Sequence, residues 1–213
     1  MTTHKLVLMT RGRPRTADVA AVTEVAMQTF WQHGYGATSI SRLTAATGMH
    51  PGAIYQTFGD KRGLLLAALA RYREIGVQRI RGLLSGSSSP LAGLRSYLLN
   101  QAALSHAANG DMRGCLAGNS ALELLPGDPA VTEAIRVIFT DLHGCIADAV
   151  TSAQRRGEID ARWPADTVAA QLLTLVEGMF VLGRTARDPQ QIEAVVDLTL
   201  RSLRPATTPE TLS

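Results

Sequence analysis

Three observations predict an all-α protein. Apolar residues recur at three- and four-residue spacing along most of the 213 residues, β-branched alternation is nearly absent, and proline is scarce inside the periodic segments but recurs at their starts. Hydrophobic residues make up 46% of the chain and charged residues 18%, enough apolar material to bury a core in one or two compact domains.

Each helix has a start or a stop with a chemical reason. The first covers 16–33, with Val22, Ala26 and Phe30 four apart; Gly34 supplies a left-handed stop and Tyr35 an apolar clasp. Thr38 has the hydroxyl of an N-cap, and Ile40, Leu43 and Thr44 mark one face of a short helix that Gly48 breaks. Met49 plugs the turn. His50-Pro51 opens the next helix with proline at its first position, and Ile54 and Phe58 form its inner face. Asp60 caps a long helix over 61–84 with Leu65, Leu69 and Tyr72 turned inward, and SGSSS at 85–89 is the linker-like stretch. Ser89-Pro90, Asp128-Pro129 and Asp188-Pro189 repeat one device, a capping side chain before a helix-opening proline. They start helices expected over 89–109, over 128–157 and from 188 onward. A short helix over 114–124 and one over 164–186, opened by Trp163-Pro164, complete the set.

Two short helices around a glycine turn, as in 38–61, are how a helix-turn-helix presents one helix to the DNA major groove. The outer face of the second helix shows Gly52, Tyr55, Gln56 and Thr57. Glycine lets a phosphate approach the backbone, a tyrosine hydroxyl can bond a phosphate, and Gln or Thr can reach base edges. Charge follows the motif. Residues 1–82 carry eleven Lys and Arg against four acids, a net +7, whereas the remainder carries ten against fourteen, a net −4.

Arg11-Gly12-Arg13-Pro14-Arg15, the stretch 30–35 (FWQHGY), Thr38-Ser39, Ala53-Ile54-Tyr55 and Phe58-Gly59-Asp60-Lys61 together resemble the DNA-binding domain of the TetR/AcrR family of transcriptional regulators. The resemblance is dense over residues 11 to about 75 and only architectural beyond. His50 and Pro51 depart from it, standing where the family often has a small polar cap and a lysine.

The expected organisation is a flexible N-terminus over 1–10, a DNA-binding domain over 11–75 with its motif at about 39–58, an effector-binding and dimerisation domain over 76–204, and a flexible tail over 205–213. Arg11, Arg13 and Arg15 lie on an arm free to follow phosphates or enter the minor groove. Thr38 and Ser39 would hold one phosphate at a helix N-terminus, Tyr55 and Lys61 would fix the recognition helix to the backbone with Pro51 and Gly52 beside it, and Gln56, Thr57 and His50 would read bases.

The resemblance implies that the C-terminal domain binds a small molecule and shifts the long 61–84 helix, moving the recognition helices of a homodimer off a double-stranded operator. The polar, aromatic or soft residues of the central helices are the expected pocket: Tyr97, Leu104, His106, Met112, Cys115, Asn119, Phe139, His143, Trp163 and Met179. Buried Arg and Lys are sparse among them, which points to a hydrophobic or amphipathic organic effector. Apolar residues on more than one face of the 164–186 helix call for cover by a second subunit. The expected interface is Leu172, Leu175, Val176, Met179 and Phe180, with Ile192, Val195, Val196 and Thr199 from the last helix.

No cofactor or metal is expected. Cys115 and Cys145 form neither a disulfide framework nor a CxxC site, and His143 lies on the opposite side of its helix from Asp141 and Cys145. No Ser-His-Asp set, phosphate loop, HExxH or carboxylate pair stands out, and Glu123, Asp148 and Glu177 are isolated, so an enzyme is not expected. The alternative is a DNA-binding architectural or adaptor protein that senses nothing; an enclosed cavity discriminates against it. The apolar run in MTTHKLVLMT is too short for a signal peptide and no stretch approaches the ~20 apolar residues of a membrane span, so a cytoplasmic location is expected.

Overall fold

Helices begin where the capping chemistry places them. In the computed structural model, which describes residues 16–105, 113–185 and 188–206, all regular structure is helical. The elements are α1 (Thr16–His33), α2 (Ile40–Thr47), α3 (Pro51–Phe58), α4 (Lys61–Ser85), α5 (Pro90–Ser105), α6 (Leu116–Leu124), α7 (Pro129–Arg155), α8 (Ala165–Gly183) and α9 (Pro189–Ser202). Asp60 accepts the Gly63 N–H at 2.7 Å, Ser89 the Ala92 N–H at 3.2 Å, and Asp188 the Gln190 N–H at 2.9 Å, so these three expected caps each close a helix start. Gly48 ends α2 at φ 68° and Gly157 follows α7 at φ 69°, both in the left-handed region that glycine tolerates.

Some boundaries shift: α6 starts at Leu116 and not at 114, α7 ends at Arg155 and not at 157, and α8 ends at Gly183 and not at 186. The α2 cap is Ser39, whose Oγ accepts the Arg42 N–H at 3.1 Å, because the Thr38 hydroxyl turns back to donate to the Gly34 carbonyl at 2.6 Å. Pro164 is the cap of α8 and not its first helical residue.

α1, α2 and α3 close around Ala26, Met27, Phe30, Leu43 and Ile54, with Leu64, Leu65, Ala68 and Leu69 of α4 sealing the base. α4 continues into the second half of the molecule, where it packs on α5 and α7. There α7 lies against α8, and α5 carries both α8 and α9. Among the buried residues are Leu94, Leu98, Ile138, Ile146, Val150, Val168 and Leu200.

Most of the residues expected at a subunit interface are covered within the single chain. Leu172, Val176, Met179, Phe180, Ile192 and Val196 are buried in the core of the single chain, where α8 and α9 bury those stripes against neighbouring helices of their own subunit. Leu175 and Thr199 are partly buried, and only Val195 among the nine stays open. The apolar residues left exposed are Val181 (59%) and Leu182 (44%) on α8, with Val195 (42%) and Leu198 (63%) on α9. A second expectation is also corrected: by length and composition α8, with mean hydropathy 1.4, could cross a membrane. Within this fold its buried stripe packs on α5 and α7.

Candidate DNA-binding surface and interior cavity

The outer face of the helix-turn-helix is open. His50, Pro51, Gly52, Gln56 and Thr57 are exposed and Tyr55 is 50% exposed, while Ile54 on the opposite side of α3 is fully buried. A Cβ built on Gly52 meets nothing within 4 Å, so this glycine answers no packing demand inside the chain. Ser39 is exposed at the N-terminus of α2, and the unpaired N–H groups of a helix start can bind a phosphate.

Thr38 does not share that face. It is fully buried, its hydroxyl bonds Gly34 and its N–H bonds the Tyr35 carbonyl at 3.2 Å, so both donors are used internally. Lys61 is also engaged: Nζ donates to the Tyr35 carbonyl at 3.0 Å and lies 4.0 Å from the centre of the Tyr35 ring. Arg42 on α2 is exposed and forms no ion pair with a described residue, a cation that sequence reasoning passed over because it sits outside the recognition helix. Arg11, Arg13 and Arg15 lie outside the described residues.

Polar bonds tie this head to the rest of the molecule. The Glu123 carboxylate at the end of α6 accepts the Tyr35 N–H at 2.8 Å and the Gly36 N–H at 2.5 Å. The approach needs glycines: Gly34 sits at φ 77°, and a Cβ at Gly36 would stand 2.8 Å from the carboxylate. Asp128 caps α7 through the Ala130 and Val131 N–H groups and accepts the Arg62 guanidinium, Nη2 to Oδ1 at 2.7 Å. The Arg62 hydrogen bonds, with those from Val131 and Ala130, hold the Asp128 carboxyl down at about 2 against an ordinary 3.8. A lowered native value stabilises the fold above the unfolded value and the benefit is lost as pH falls through it. Urea midpoints of wild type and Asp128→Asn are therefore expected to differ by a constant amount above pH ~5 and to converge as pH falls from ~4 to ~2, the interval between the unfolded and folded values.

Behind the head lies a cavity of about 300 Å³. Its walls come from α1 (Met27, Gln28, Trp31), α4 (Tyr72, Ile75, Gly76), α5 (Tyr97, Gln101, Leu104), α7 (Ile138, Leu142) and α8 (Leu173, Val176, Glu177, Phe180), closed by Arg113 to Cys115. Trp31 is fixed edge-on to Tyr72 at 5.2 Å, donates its Nε1–H to the Gly114 carbonyl at 2.9 Å, and is covered by the Arg113 guanidinium at 4.7 Å. Burial pushes the Cys115 thiol up to about 12, so it stays protonated. It accepts the Tyr72 hydroxyl at 3.5 Å and the Gly118 N–H at 3.3 Å.

Of the expected pocket residues, Tyr97, Leu104 and Cys115 line this cavity. The others that can be placed do not. Asn119 instead braces the loop, bonding the Arg113 carbonyl at 2.7 Å and the Arg184 guanidinium at 2.6 Å. Phe139 packs on the core, Met179 belongs to it, a His143 ring nitrogen meets the Asp166 carbonyl at 3.1 Å, and Trp163 is exposed under Arg162. His106 and Met112 lie outside the described residues. Trp31, Tyr72, Gln101 and Glu177 were missed. The available signals were Trp31, an aromatic on α1 beside the Val22, Ala26 and Phe30 stripe, and an acid alone in the apolar body of α8. No group of three or more metal-ligating residues occurs among the described residues.

Residues 22–68 match the model of the N-terminal domain of bacterial regulatory proteins of the tetR family, and residues 90–198 match the tetracyclin repressor-like C-terminal domain. The HTH-type transcriptional repressor ComR of Escherichia coli is 28% identical over 198 residues, 92% of this chain and 93% of its own. The repressor AcnR of Corynebacterium glutamicum is 48% identical over 60 residues, 28% of this chain and 31% of its own. A CifR cysteine variant of the TetR family, solved with 26-base-pair operator DNA, is 28% identical and covers 90% of this chain and 100% of its own at TM-score 0.77. A TetR regulator from Chloroflexus aurantiacus is 26% identical, covering 87% and 93%, at TM-score 0.75. With both halves matched and the second match alone spanning more than half of the sequence, the chain belongs to the TetR family of bacterial regulatory proteins, DNA-binding transcription factors and not enzymes.

Proposed function

We propose that the protein is a ligand-responsive repressor that binds a palindromic operator as a homodimer and leaves it when a small organic molecule fills the cavity. The observation that carries this reading is the cavity's shared wall: α1 of the DNA-binding head and α4 both line it, so an occupant touches the head itself. The repressor role of ComR and the operator complex of the CifR variant support it from outside. Two heads of a dimer must meet half-sites about one DNA turn, ~34 Å, apart. Moving the population from mostly bound to mostly released needs a differential ligand affinity of about 5.5 kcal/mol, which an enclosed site can supply. The division into a head over 11–75 and a body over 76–204 is compatible with the two matched regions, and a DNA target supports a cytoplasmic location.

In this reading Ser39 and the α2 N-terminus hold a phosphate, Tyr55 and Arg42 hold others, and Gln56, Thr57 and His50 face base edges. The Arg11, Arg13 and Arg15 arm adds phosphate or minor-groove contacts, and Lys61 acts by fixing the Tyr35 turn. Selection of bound sequences followed by titration is the test. Gln56→Ala is expected to relax one operator position by ~1 to 3 kcal/mol, whereas Arg42→Ala should weaken all sequences alike and reduce the salt slope by about 1. Unchanged selectivity in Gln56→Ala would move base reading to other residues. If no compound in a broad organic panel alters operator affinity, a ligand-independent DNA-binding role replaces the proposal.

A further inference from the structure

The open polar groups of the cavity are nearly all acceptors. Tyr97 is 1% exposed and its hydroxyl has no partner, nor does the neighbouring Gln101 Oε1; burial pushes the Tyr97 hydroxyl up to about 12, with Gln101 close enough to offset part of that rise. Glu177 is the one acid on α8 beyond its first turn and faces the same space. No basic residue pairs with it among the described residues.

The cavity's own cations are occupied or peripheral. Arg73 is held by Asp141 at 2.5 Å, Arg113 gives Nη1 to Gln28 at 2.6 Å, and Arg79 is exposed. Glu24, the other acid of the wall, is taken by Arg71 at 2.9 Å. Tyr72 O–H and Gly118 N–H both go to the Cys115 sulfur, which leaves the weak Cys115 S–H as the protein donor beside Glu177.

Burial raises the Glu177 carboxyl above its ordinary value, the mark of a carboxylate kept from water without a cation. Four rings surround the site, those of Trp31, Tyr72, Tyr97 and Phe180, and ring faces attract positive charge. A neutral apolar occupant would leave Gln101 Oε1 and the Tyr97 hydroxyl unpaired and Glu177 with only a thiol for a partner, and an anionic one would meet Glu177.

We propose that the cavity takes an organic cation, a protonated amine or amidinium on an aromatic body, with Glu177 as counter-ion and Gln101 and Tyr97 accepting its N–H groups. This narrows the hydrophobic or amphipathic effector expected from sequence, and it rests on the ligand-responsive reading above. At about 300 Å³ the space suits a compact molecule, at the lower end of the ~300 to 1,000 Å³ that ligand pockets occupy.

The experiment uses the full chain and two carbon skeletons in three charge states: tryptamine, tryptophol and indoleacetate, then phenylpropylamine, phenylpropanol and phenylpropionate. Calorimetric binding and operator release are measured for each. The amines are expected to bind about tenfold or more tighter than the alcohols, and the carboxylates most weakly. Glu177→Gln should abolish the preference for amine over alcohol, and Tyr97→Phe should reduce it by a smaller factor, with circular dichroism establishing that each variant is folded. An alcohol or carboxylate that binds as well as its amine, or a preference that survives Glu177→Gln, overturns the cation assignment. If such a neutral or anionic compound also releases operator, ligand response stands while the cation assignment falls. If no compound binds or changes operator affinity, the cation assignment is wrong; extending the titration to a broad organic panel with the same null result removes the ligand-responsive reading as well.

Discussion

Leu198→Asp should leave the protein monomeric and reduce its affinity for a full operator by about a hundredfold or more. Val181, Leu182, Val195 and Leu198 are the exposed large apolar side chains of α8 and α9, and an apolar patch of this kind in a DNA-binding regulator is where a second copy fits. A two-fold interface uses each surface twice, so one substitution places two carboxylates in it, and burying an unpaired charge costs more than a contact of this size returns. Operator affinity falls with the dimer because one head holds only one half-site. Sedimentation equilibrium and operator titration check the two effects separately. A dimer of undiminished stability would place the interface on another face. Leu172→Asp is a poor probe of the same question, since Leu172 is fully buried within the subunit and its loss would unfold the body.

Ile54→Ala should cost the head about 2 to 5 kcal/mol and abolish operator binding while leaving the body helical and dimeric. Ile54 is the one fully buried side chain of α3, an eight-residue helix too short to hold itself together. Its neighbours across the head, Phe30 and Leu43, are equally enclosed, so the space left by the three lost carbons cannot be filled from outside. Amide exchange would show protection lost over 40–58 and kept over α7. Retained operator binding with native affinity would mean that α3 is stabilised by something other than this core.

Helix starts were legible because each is encoded locally, by a capping side chain followed within one residue by proline or by a helical N–H it can reach. Thr38 and Ser39 mark the limit of such local reading. Both carry a hydroxyl, and the choice between them depends on whether the Gly34 carbonyl is within reach, a matter of how α1 ends. The recognition surface was legible for the same local reason, since α3 has only one buried stripe.

The cavity and the dimer face were not. α8 has apolar residues on several sides, and periodicity alone cannot say which side belongs to the subunit; the residues at 172, 176, 179 and 180 turned inward and Val181 and Leu182 outward. The cavity joins Trp31, Tyr72, Tyr97 and Glu177, whose meeting is fixed by tertiary packing over long sequence separations. Sparse basic residues pointed to a hydrophobic or amphipathic effector, and the acid in the cavity wall, Glu177, was passed over.

α6 touches both working parts of the protein. Its cap, Cys115, is in the cavity wall, and Glu123 near its other end holds the turn between α1 and α2. For anyone building a hybrid sensor, this sets a condition on the graft. A head borrowed from another regulator must bring the left-handed glycine at the position equivalent to 34 and, after it, the two backbone N–H groups that the carboxylate grips. A chimera lacking them should still recognise its DNA and still fill its cavity, yet report nothing of one to the other.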